Sequence, residues 1–532
     1  MTKKQVITAL ILFISGAVIL VSCGRRNEAI PEPTIQYALD IALARRESIV
    51  RPGRNEVIDA VKGRCYRWIL DGHANVFSQV PLADVITVED ALYDAQTLLV
   101  ALRHMYGPYI YFGGDVAFVP LFEDIKQTLS SRDYWHVDDF SDIVRGKLIT
   151  VATDNHIFIN INGQLEYFQS QDFQSESDAV NYFYTLGTMY PSPVSAGFYM
   201  SDIQFERTSN GFRNSERNIN VSDAVGHNIH DIFRLAVDEY GMLFYIPVVV
   251  LPGHGHDSVY ALRLIYAETE EVLYLTRHIP EFQSHQPWEL KWIGDIPVVT
   301  MRDFVIRDLD YVKRQLSFAE SVHDAPILII DARSTLGGMA GLPEGWMNAL
   351  VGERVHQQFV SLTVNVKPLG LTAVLGERFQ ELADTWTSNL DAIEILDYHE
   401  VVPFALDHSV QYLNVADNII EREQLLILLT DRFANSAGET FLDLVFALSN
   451  SLIIGQNTSG TIVASATLIP MTLPRSGVIF GFGPTLFIHP ESHFAEGIGF
   501  APDIWAVGDA LESTFAMLRR EGLICDENRL IS

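Results

Sequence analysis

Apolar residues recur along this chain with three different spacings, and each spacing predicts a different kind of element. In Val88–Tyr106 and Phe140–Leu148 they lie at three- and four-residue steps, which is typical of amphipathic helices. From about residue 157 to 286, short β-branched and aromatic runs alternate with Asn, Ser and Gly turns, which predicts strands. From Pro287 onward, apolar strand runs alternate with helical patterns, which indicates a βα core with a largely parallel sheet.

These changes of pattern place the chain in the α/β class and predict several domains. In the core we expect strands over Trp292–Met301, Ala325–Asp331, Leu425–Thr430 and Ser451–Gly455, and helices over Phe304–Val322, near Gly345–Val351 and from Ser436. The predicted segments are a leader over 1–22, a tether over 23–35, an N-terminal helical domain over 36–156, a β-rich middle domain over 157–286, the βα core over 287–512 and a tail over 513–532.

The first residues have the pattern of an export signal. Lys3 and Lys4 precede the apolar stretch Val6–Val21, which is short for a membrane span and fits a secretory leader. The leader ends in Leu20-Val21-Ser22-Cys23, which resembles a bacterial lipobox whose cysteine accepts the lipid. The sequence therefore predicts a lipid-anchored protein of the cell envelope, on its periplasmic or extracellular face. The alternative is an ordinary signal peptide followed by an incidental cysteine.

The charge of the chain limits its partners. There are 67 acidic and 37 basic residues, which gives a formal net charge of -30 and argues against nucleic acid as a ligand. The same charge disfavours an electrostatic grip on anionic lipid, so the N-terminal lipid is the expected membrane contact. We predict no cofactor. Gly253–Asp257 and the pair His227 and His230 have metal-like spacing, but their positions favour ordinary loop residues, and no metal site is predicted.

Three cysteines are present, and Cys23 is the predicted lipid acceptor. In an exported protein, the two others, Cys65 and Cys525, could form a disulfide between the first and last domains. Two free thiols are an equally good interpretation of the sequence.

The segment Leu425–Gly460 contains the clearest candidate for chemistry. The apolar run Leu425–Thr430 ends in a polar turn, and Ser436 then opens a helical pattern. A hydroxyl at the start of a helix lies beside unpaired N–H groups, which can bind a developing oxyanion. A serine that merely caps the helix gives the same pattern.

Three distant segments add candidate partners for Ser436. The loop Asp331–Gly338 follows a buried strand, and its glycines let backbone N–H groups approach a ligand. His156 closes the helical domain and could act as a general base for a serine. Glu496 lies in a late loop, and its carboxylate could orient and stabilise an imidazolium.

Together these segments resemble the S41 peptidase family, the C-terminal-processing and tricorn-core type of serine protease. The matching stretches occur in family order between about residues 89 and 507: Asp154–Ile157, Asp331–Gly338, Thr430–Glu439, Ile454–Gly460 and Gly499–Asp503. The resemblance implies a ClpP/crotonase-like core, a polypeptide substrate and acyl transfer through Ser436. It also implies an oxyanion hole from the N–H groups of Ala437 and of Gly337 or Gly338.

The departures from the family pattern select between its two branches. The C-terminal-processing branch places a lysine where this chain has Thr461, so its Ser–Lys mechanism has no base at the matching position. The tricorn-like branch pairs serine with histidine and a late glutamate, which implies His156 as base and Glu496 as its carboxylate partner. Asn155 stands where that branch has serine and could assist His156, and Thr335 replaces a loop asparagine.

Two functions from different classes are compatible with these residues. The first is an exported, lipid-anchored serine endopeptidase that uses Ser436, His156 and Glu496. The second is a catalytically inactive surface lipoprotein of the same architecture that binds peptide, glycan or a partner protein. Retention of all three residues favours the first, whereas Thr461 and Asn155 favour the second.

Overall fold

A computed structural model describes residues 32–49, 80–154, 156–160, 197–251, 258–266, 269–278, 288–304, 309–335, 337–355, 360–363, 393–396, 410–413, 419–464, 471–483, 485–489 and 494–525. The helices are α1 Ile35–Glu47, α2 Val88–Met105, α3 Gly114–Leu129, α4 Val137–Leu148, α5 Ile229–Ile232, α6 Leu309–Val322, α7 Gly341–Val351, α8 Ala437–Val445 and α9 Ala510–Arg520, and Gly107–Tyr109 is a short 3₁₀ turn.

The first strands are β1 Val85–Thr87, β2 Tyr134–His136, β3 Phe158–Asn160, β4 Gly197–Met200, β5 Glu206–Thr208, β6 Gly211–Asn214, β7 Ile219–Val221, β8 Asp223–Ala224, β9 Phe233–Val237, β10 Leu243–Leu251, β11 Val259–Tyr266 and β12 Thr269–His278. The later strands are β13 Trp288–Ile293, β14 Ile296–Met301, β15 Ile327–Asp331, β16 Val360–Thr363, β17 Ile393–Leu396, β18 Val410–Leu413, β19 Leu425–Thr430, β20 Ser451–Gly455, β21 Met471–Thr472, β22 Ile479–Gly481, β23 Thr485–Ile488 and β24 Ile504–Ala506.

A large mixed sheet forms the centre of the molecule and confirms the α/β class. Among the described residues it has 12 strands in the order β13-β14-β15-β19-β20-β24-β9-β10-β4-β12-β11-β8. The run from β14 to β9 is parallel throughout. Every residue of β19 is buried, with Leu426 and Leu428 in one apolar cluster and Ile427 and Leu429 in the other. A strand covered on both faces explains why this run is continuously apolar.

The sheet crosses the predicted boundary between the β-rich middle domain and the βα core. Strand β24, from the late part of the chain, pairs in parallel with β9. Strands β10, β4 and β12 extend the same sheet through antiparallel pairs. The domain limits themselves remain a prediction.

One predicted strand is wrong. The apolar stretch Trp292–Met301 is not a single strand, because it contains the turn between β13 and β14. Gly294 takes a φ of 59°, a left-handed conformation that glycine adopts without a Cβ clash, and the chain reverses there. The described part of α6 spans Leu309–Val322, whereas Phe304 forms an isolated bridge with Gly338. Helix α7 begins at Gly341, one turn before the predicted start.

The N-terminal helices α2, α3 and α4 pack on a small sheet formed by β21, β22 and β3. Asp94 of α2 accepts hydrogen bonds from the backbone N–H groups of Arg475 (3.0 Å) and Ser476 (2.7 Å). The N–H of Gly107 donates to the carbonyl of Gly483 at 2.9 Å. The helical layer is therefore completed by residues that come late in the chain.

Helix α1 packs on the large sheet, where Ile35, Ala38 and Ala42 join its apolar cluster. The buried Arg46 donates to the carbonyls of Leu448 (3.0 Å) and Ser451 (2.8 Å) and to Asp503 at 3.0 Å. A buried arginine with three acceptors fixes the end of α1 strongly, because leaving any of these groups unpaired would be costly. The late Asp503 therefore has a structural partner at the start of the fold.

Several predicted features fall outside the described residues, namely Cys23 with its leader, Cys65, Asn155 and Gly253–Asp257. Cys525 is an exposed free thiol. Within the described ranges no helix combines the length and apolarity that a membrane crossing requires. His227 bonds the hydroxyl of Tyr260 at 2.8 Å, and among the described residues no group of His, Cys, Asp and Glu is arranged to hold a metal ion.

Candidate active site

The turn between β19 and α8 is organised by the buried carboxylate of Asp431. It accepts hydrogen bonds from the N–H and hydroxyl of Ser334 (2.8 and 2.9 Å) and from the N–H groups of Phe433 (2.9 Å) and Ala434 (3.2 Å). Burial raises the pKa of Asp431, although these donors oppose the effect. The Asp431 side chain thus connects the turn that carries Ser436 to the loop that follows β15.

Ser436 occupies the tip of this turn in a strained backbone conformation. Its φ of 50° and ψ of −118° are rare for a residue with a Cβ, and such strain is concentrated at functional sites. Its hydroxyl makes no capping hydrogen bond to α8. The helix-cap interpretation of Ser436 is therefore wrong, since the side chain is directed elsewhere.

The hydroxyl of Ser436 meets the imidazole of His156. The distance between Ser436 Oγ and His156 Nε2 is 3.2 Å, and the two residues are 280 positions apart in sequence. His156 precedes β3, which pairs with β22 in the small sheet that packs on the helical layer. The structure brings these two predicted residues together at hydrogen-bond distance. Asn155 is the one predicted catalytic residue that lies outside the described part of the chain.

The glycine loop lies directly against Ser436. A Cβ on Gly337 would approach the Cβ of Ser436 to 2.8 Å, and one on Gly338 would lie 2.5 Å from the backbone of Phe304. Both glycines have positive φ, 86° and 134°. Among the described residues, the N–H groups of Gly338 and Ala437 have no hydrogen-bond partner within the chain. The glycine loop and Ala437, which hold the predicted oxyanion donors, thus lie next to the serine.

A buried ion-pair network supports this loop. Asp331 pairs with Arg302 and Arg333, each at 2.9 Å, and Arg333 also reaches Asp509 at 2.6 Å. Burial opposes ionisation of Asp331, but Arg333 and Arg302 hold its pKa well below the usual range. Thr335 stands at the position where the S41 motif has an asparagine. Its backbone carbonyl accepts the N–H of Asn435 at 3.0 Å, and its hydroxyl donates to the carbonyl of Met301 at 2.6 Å.

Thr461, which stands in place of the lysine of the other branch, supports the backbone of the serine. Its hydroxyl accepts the N–H of Ser436 at 2.9 Å and lies 2.9 Å from Glu439 Oε2, to which it donates. Glu439 is fully buried and also accepts from Thr458 (2.5 Å), from Gly460 (2.7 Å) and from the N–H of Thr461 (2.7 Å). Burial raises the pKa of Glu439 above its usual value, and these hydrogen bonds offset only part of that rise.

The predicted carboxylate Glu496 has a different contact from the expected one. Its Oε2 accepts the N–H of Val463 at 2.9 Å. His156 Nδ1 makes no hydrogen bond among the described residues, and the carboxylate oxygen that lies 3.6 Å from it belongs to Asp154. Periodicity could not reveal Asp154, Thr461 or Glu439 as parts of this site, although Asp154 lies two residues before His156 in a segment already singled out.

No protein-family model and no curated protein matches the sequence. Solved structures do match, and S41-family peptidases recur among them. Mature CPAF complexed with lactacystin is 12% identical with a TM-score of 0.38, over 82% of this chain and 98% of that one. A lipoprotein from Streptococcus agalactiae is 10% identical with a TM-score of 0.36, over 81% and 96%. The photosystem II D1 C-terminal processing protease is 14% identical with a TM-score of 0.34, over 80% and 94%.

Proposed function

We propose that this chain is a serine endopeptidase of the S41 type, exported and anchored by a lipid on Cys23. The observation that carries the proposal is the pairing of Ser436 Oγ with His156 Nε2 at 3.2 Å, in a serine that does not cap its helix. A hydroxyl, a base at hydrogen-bond distance and adjacent free N–H donors are the parts that acyl transfer through serine requires.

The reaction would begin with attack of Ser436 Oγ on a peptide carbonyl. His156 Nε2 takes the hydroxyl proton and later gives it to the leaving amine, and water then hydrolyses the acyl-enzyme by the same route. The N–H groups of Gly338 and Ala437 would bind the oxyanion, and each such donor is worth about 3 kcal/mol in the transition state. The Ser436 N–H is already bonded to Thr461 and is left out of this role.

The position of Thr461 supports a base that comes from the N-terminal layer. Its hydroxyl is engaged by Ser436 N–H and by Glu439, so it is a structural group and cannot accept a proton as a neutral lysine would. The peptidase would therefore use the serine–histidine chemistry of the tricorn-like branch. The inactive surface lipoprotein remains the competing function, and it predicts that Ser436 has no special reactivity.

A fluorophosphonate probe tests the proposal directly. An activated serine reacts with the probe, whereas an ordinary hydroxyl does not, so we expect covalent labelling of the folded full-length protein at Ser436, identified by peptide mass spectrometry. Heat-denatured protein is the first control, and Ser131→Ala, an exposed serine on the helical layer, is the matched variant that should label normally. Absence of labelling of the folded protein at Ser436 would favour the inactive lipoprotein.

The anchoring part of the proposal has a separate test. The lipobox-like ending of the leader supports lipidation, and a diacylated or triacylated cysteine keeps a protein in the membrane fraction. We expect Cys23→Ser to move the protein from the membrane fraction to the soluble fraction of the expressing bacterium. Cys525→Ser, which removes an exposed cysteine, serves as the matched control. Equal membrane retention of the Cys23 variant and the native chain would contradict lipid anchoring there.

A further inference from the structure

A buried aspartate lies beside the imidazole of His156. The side chain of Asp154 is 0% exposed, and its Oδ1 is 3.6 Å from His156 Nδ1. The same Oδ1 accepts the backbone N–H of His156 at 2.8 Å. A carboxylate that bonds the main chain of a histidine and also faces its ring is held in a fixed relation to that ring.

Tyr106 holds the other oxygen of this carboxylate. Its hydroxyl donates to Asp154 Oδ2 at 2.9 Å. The ring is fully buried, stacks on Phe112 with centroids 6.2 Å apart and meets Phe482 edge-on at 5.6 Å. Burial and the neighbouring Asp154 raise the pKa of Tyr106 well above its ordinary value, so the phenol keeps its proton and remains a donor.

A carboxylate in this place has a defined chemical role. For His156 Nε2 to accept the proton of Ser436, the neutral ring must carry its own proton on Nδ1, and a nearby carboxylate favours that tautomer. When Nε2 has taken the hydroxyl proton, the ring bears a positive charge that an ionised Asp154 stabilises. The proton passes from Oγ to Nε2 alone and is not transferred on to Asp154.

We propose that Asp154, held in place by Tyr106, is the carboxylate that positions His156 for proton transfer with Ser436. The inference rests on the proposed peptidase function and assigns a role that the resemblance gives to Glu496. Glu496 Oε2 accepts the N–H of Val463, a contact that fits support of the loop around Val463. The ionisable group that lies beside the imidazole is Asp154 from its own segment; Tyr106, which follows α2, holds that carboxylate, and the charge of Glu496 from the late loop acts on Tyr106.

The test compares Asp154→Asn, Tyr106→Phe and Glu496→Gln for peptide hydrolysis and fluorophosphonate labelling, with folding verified by circular dichroism. Asparagine can still accept the His156 N–H, so the turn is preserved while the charge is removed. We expect Asp154→Asn to lower kcat about 10³- to 10⁴-fold with little change in KM, and Tyr106→Phe about tenfold, because it removes one hydrogen bond to a charged group. Glu496→Gln should lower kcat less than Asp154→Asn does.

The pH profile separates positioning from a merely structural role. Loss of the negative charge beside the ring makes the imidazolium less stable, so the acid limb of the kcat profile of Asp154→Asn should move to lower pH. The assignment would be overturned by the opposite result. In that case Glu496→Gln would show the larger fall in kcat and the shifted acid limb of the pH profile, and Asp154→Asn would be nearly normal. If the native protein neither hydrolyses peptide nor labels at Ser436, the peptidase proposal itself has failed, and this inference with it.

Discussion

Replacing Ser436 with alanine is expected to abolish peptide hydrolysis, with a fall in kcat of about 10⁴-fold or more. The hydroxyl that is removed is the group that contacts His156 Nε2. The fold should persist, because the bond from the residue 436 N–H to Thr461 involves the main chain and survives the change. Thermal unfolding should shift by no more than about 1 kcal/mol in stability.

The measurement is steady-state hydrolysis of casein or of a fluorogenic peptide by the purified, tag-cleaved protein. Ser131→Ala, prepared in parallel, should hydrolyse at the native rate and so show that the loss is specific to residue 436. Hydrolysis at the native rate by the alanine variant would mean that the nucleophile lies elsewhere, and the proposed mechanism would then fail even if the chain were a peptidase.

Replacing His156 with alanine is expected to have an effect of similar size, about 10³- to 10⁴-fold in kcat. The reason is that, among the described residues, His156 is the base that contacts Ser436 Oγ. Thr461 stands where the other branch has a lysine, and its hydroxyl is already bonded to the main chain of Ser436 and to Glu439. Removal of the imidazole thus leaves the hydroxyl of Ser436 without a group that can take its proton.

Addition of free imidazole provides a sharp control for this variant. The His156 side chain is 13% exposed, so a small base from solution can enter the space that the alanine leaves. We expect imidazole to restore part of the activity of His156→Ala and none of the activity of Ser436→Ala. Retention of more than a tenth of the native kcat without imidazole would show that another group acts as the base.

The sequence predicts best those strands of the fold whose apolar residues form a continuous run. Strands β15, β19 and β20 are buried on both faces, and uninterrupted runs such as Leu425–Thr430 identify them without ambiguity. The hairpin of β13 and β14 was missed because its apolar stretch runs through the turn at Gly294. The parallel pairing of β24 with β9 joins strands more than 260 residues apart, and nothing in either short strand specifies its neighbour.

Some residues of the candidate site can likewise be predicted from the sequence, and others cannot. Ser436 and the glycine loop have local signals, a strand that ends in a polar turn and adjacent glycines after a buried strand. The pairing of Ser436 with His156 was implied by the order of motifs along the chain. The contacts of Asp154 with Tyr106 and of Thr461 with Glu439 depend on side-chain geometry across the fold, which one sequence does not specify. Glu496 is an example, because its position in a sequence motif does not predict that its carboxylate accepts the N–H of Val463.

The layer that holds His156 also constrains when activity can arise during biosynthesis. Strand β3 follows the histidine directly, and its Asn160 pairs with Ile479, which the ribosome adds 319 residues later. The apolar cluster beneath it likewise needs Val478, Phe480 and Phe482. A nascent chain that already contains Ser436 therefore still lacks the residues that support His156. Under the proposed mechanism, proteolytic activity would arise only after residue 482 has been added, which would protect a cell from a reactive nucleophile during translation.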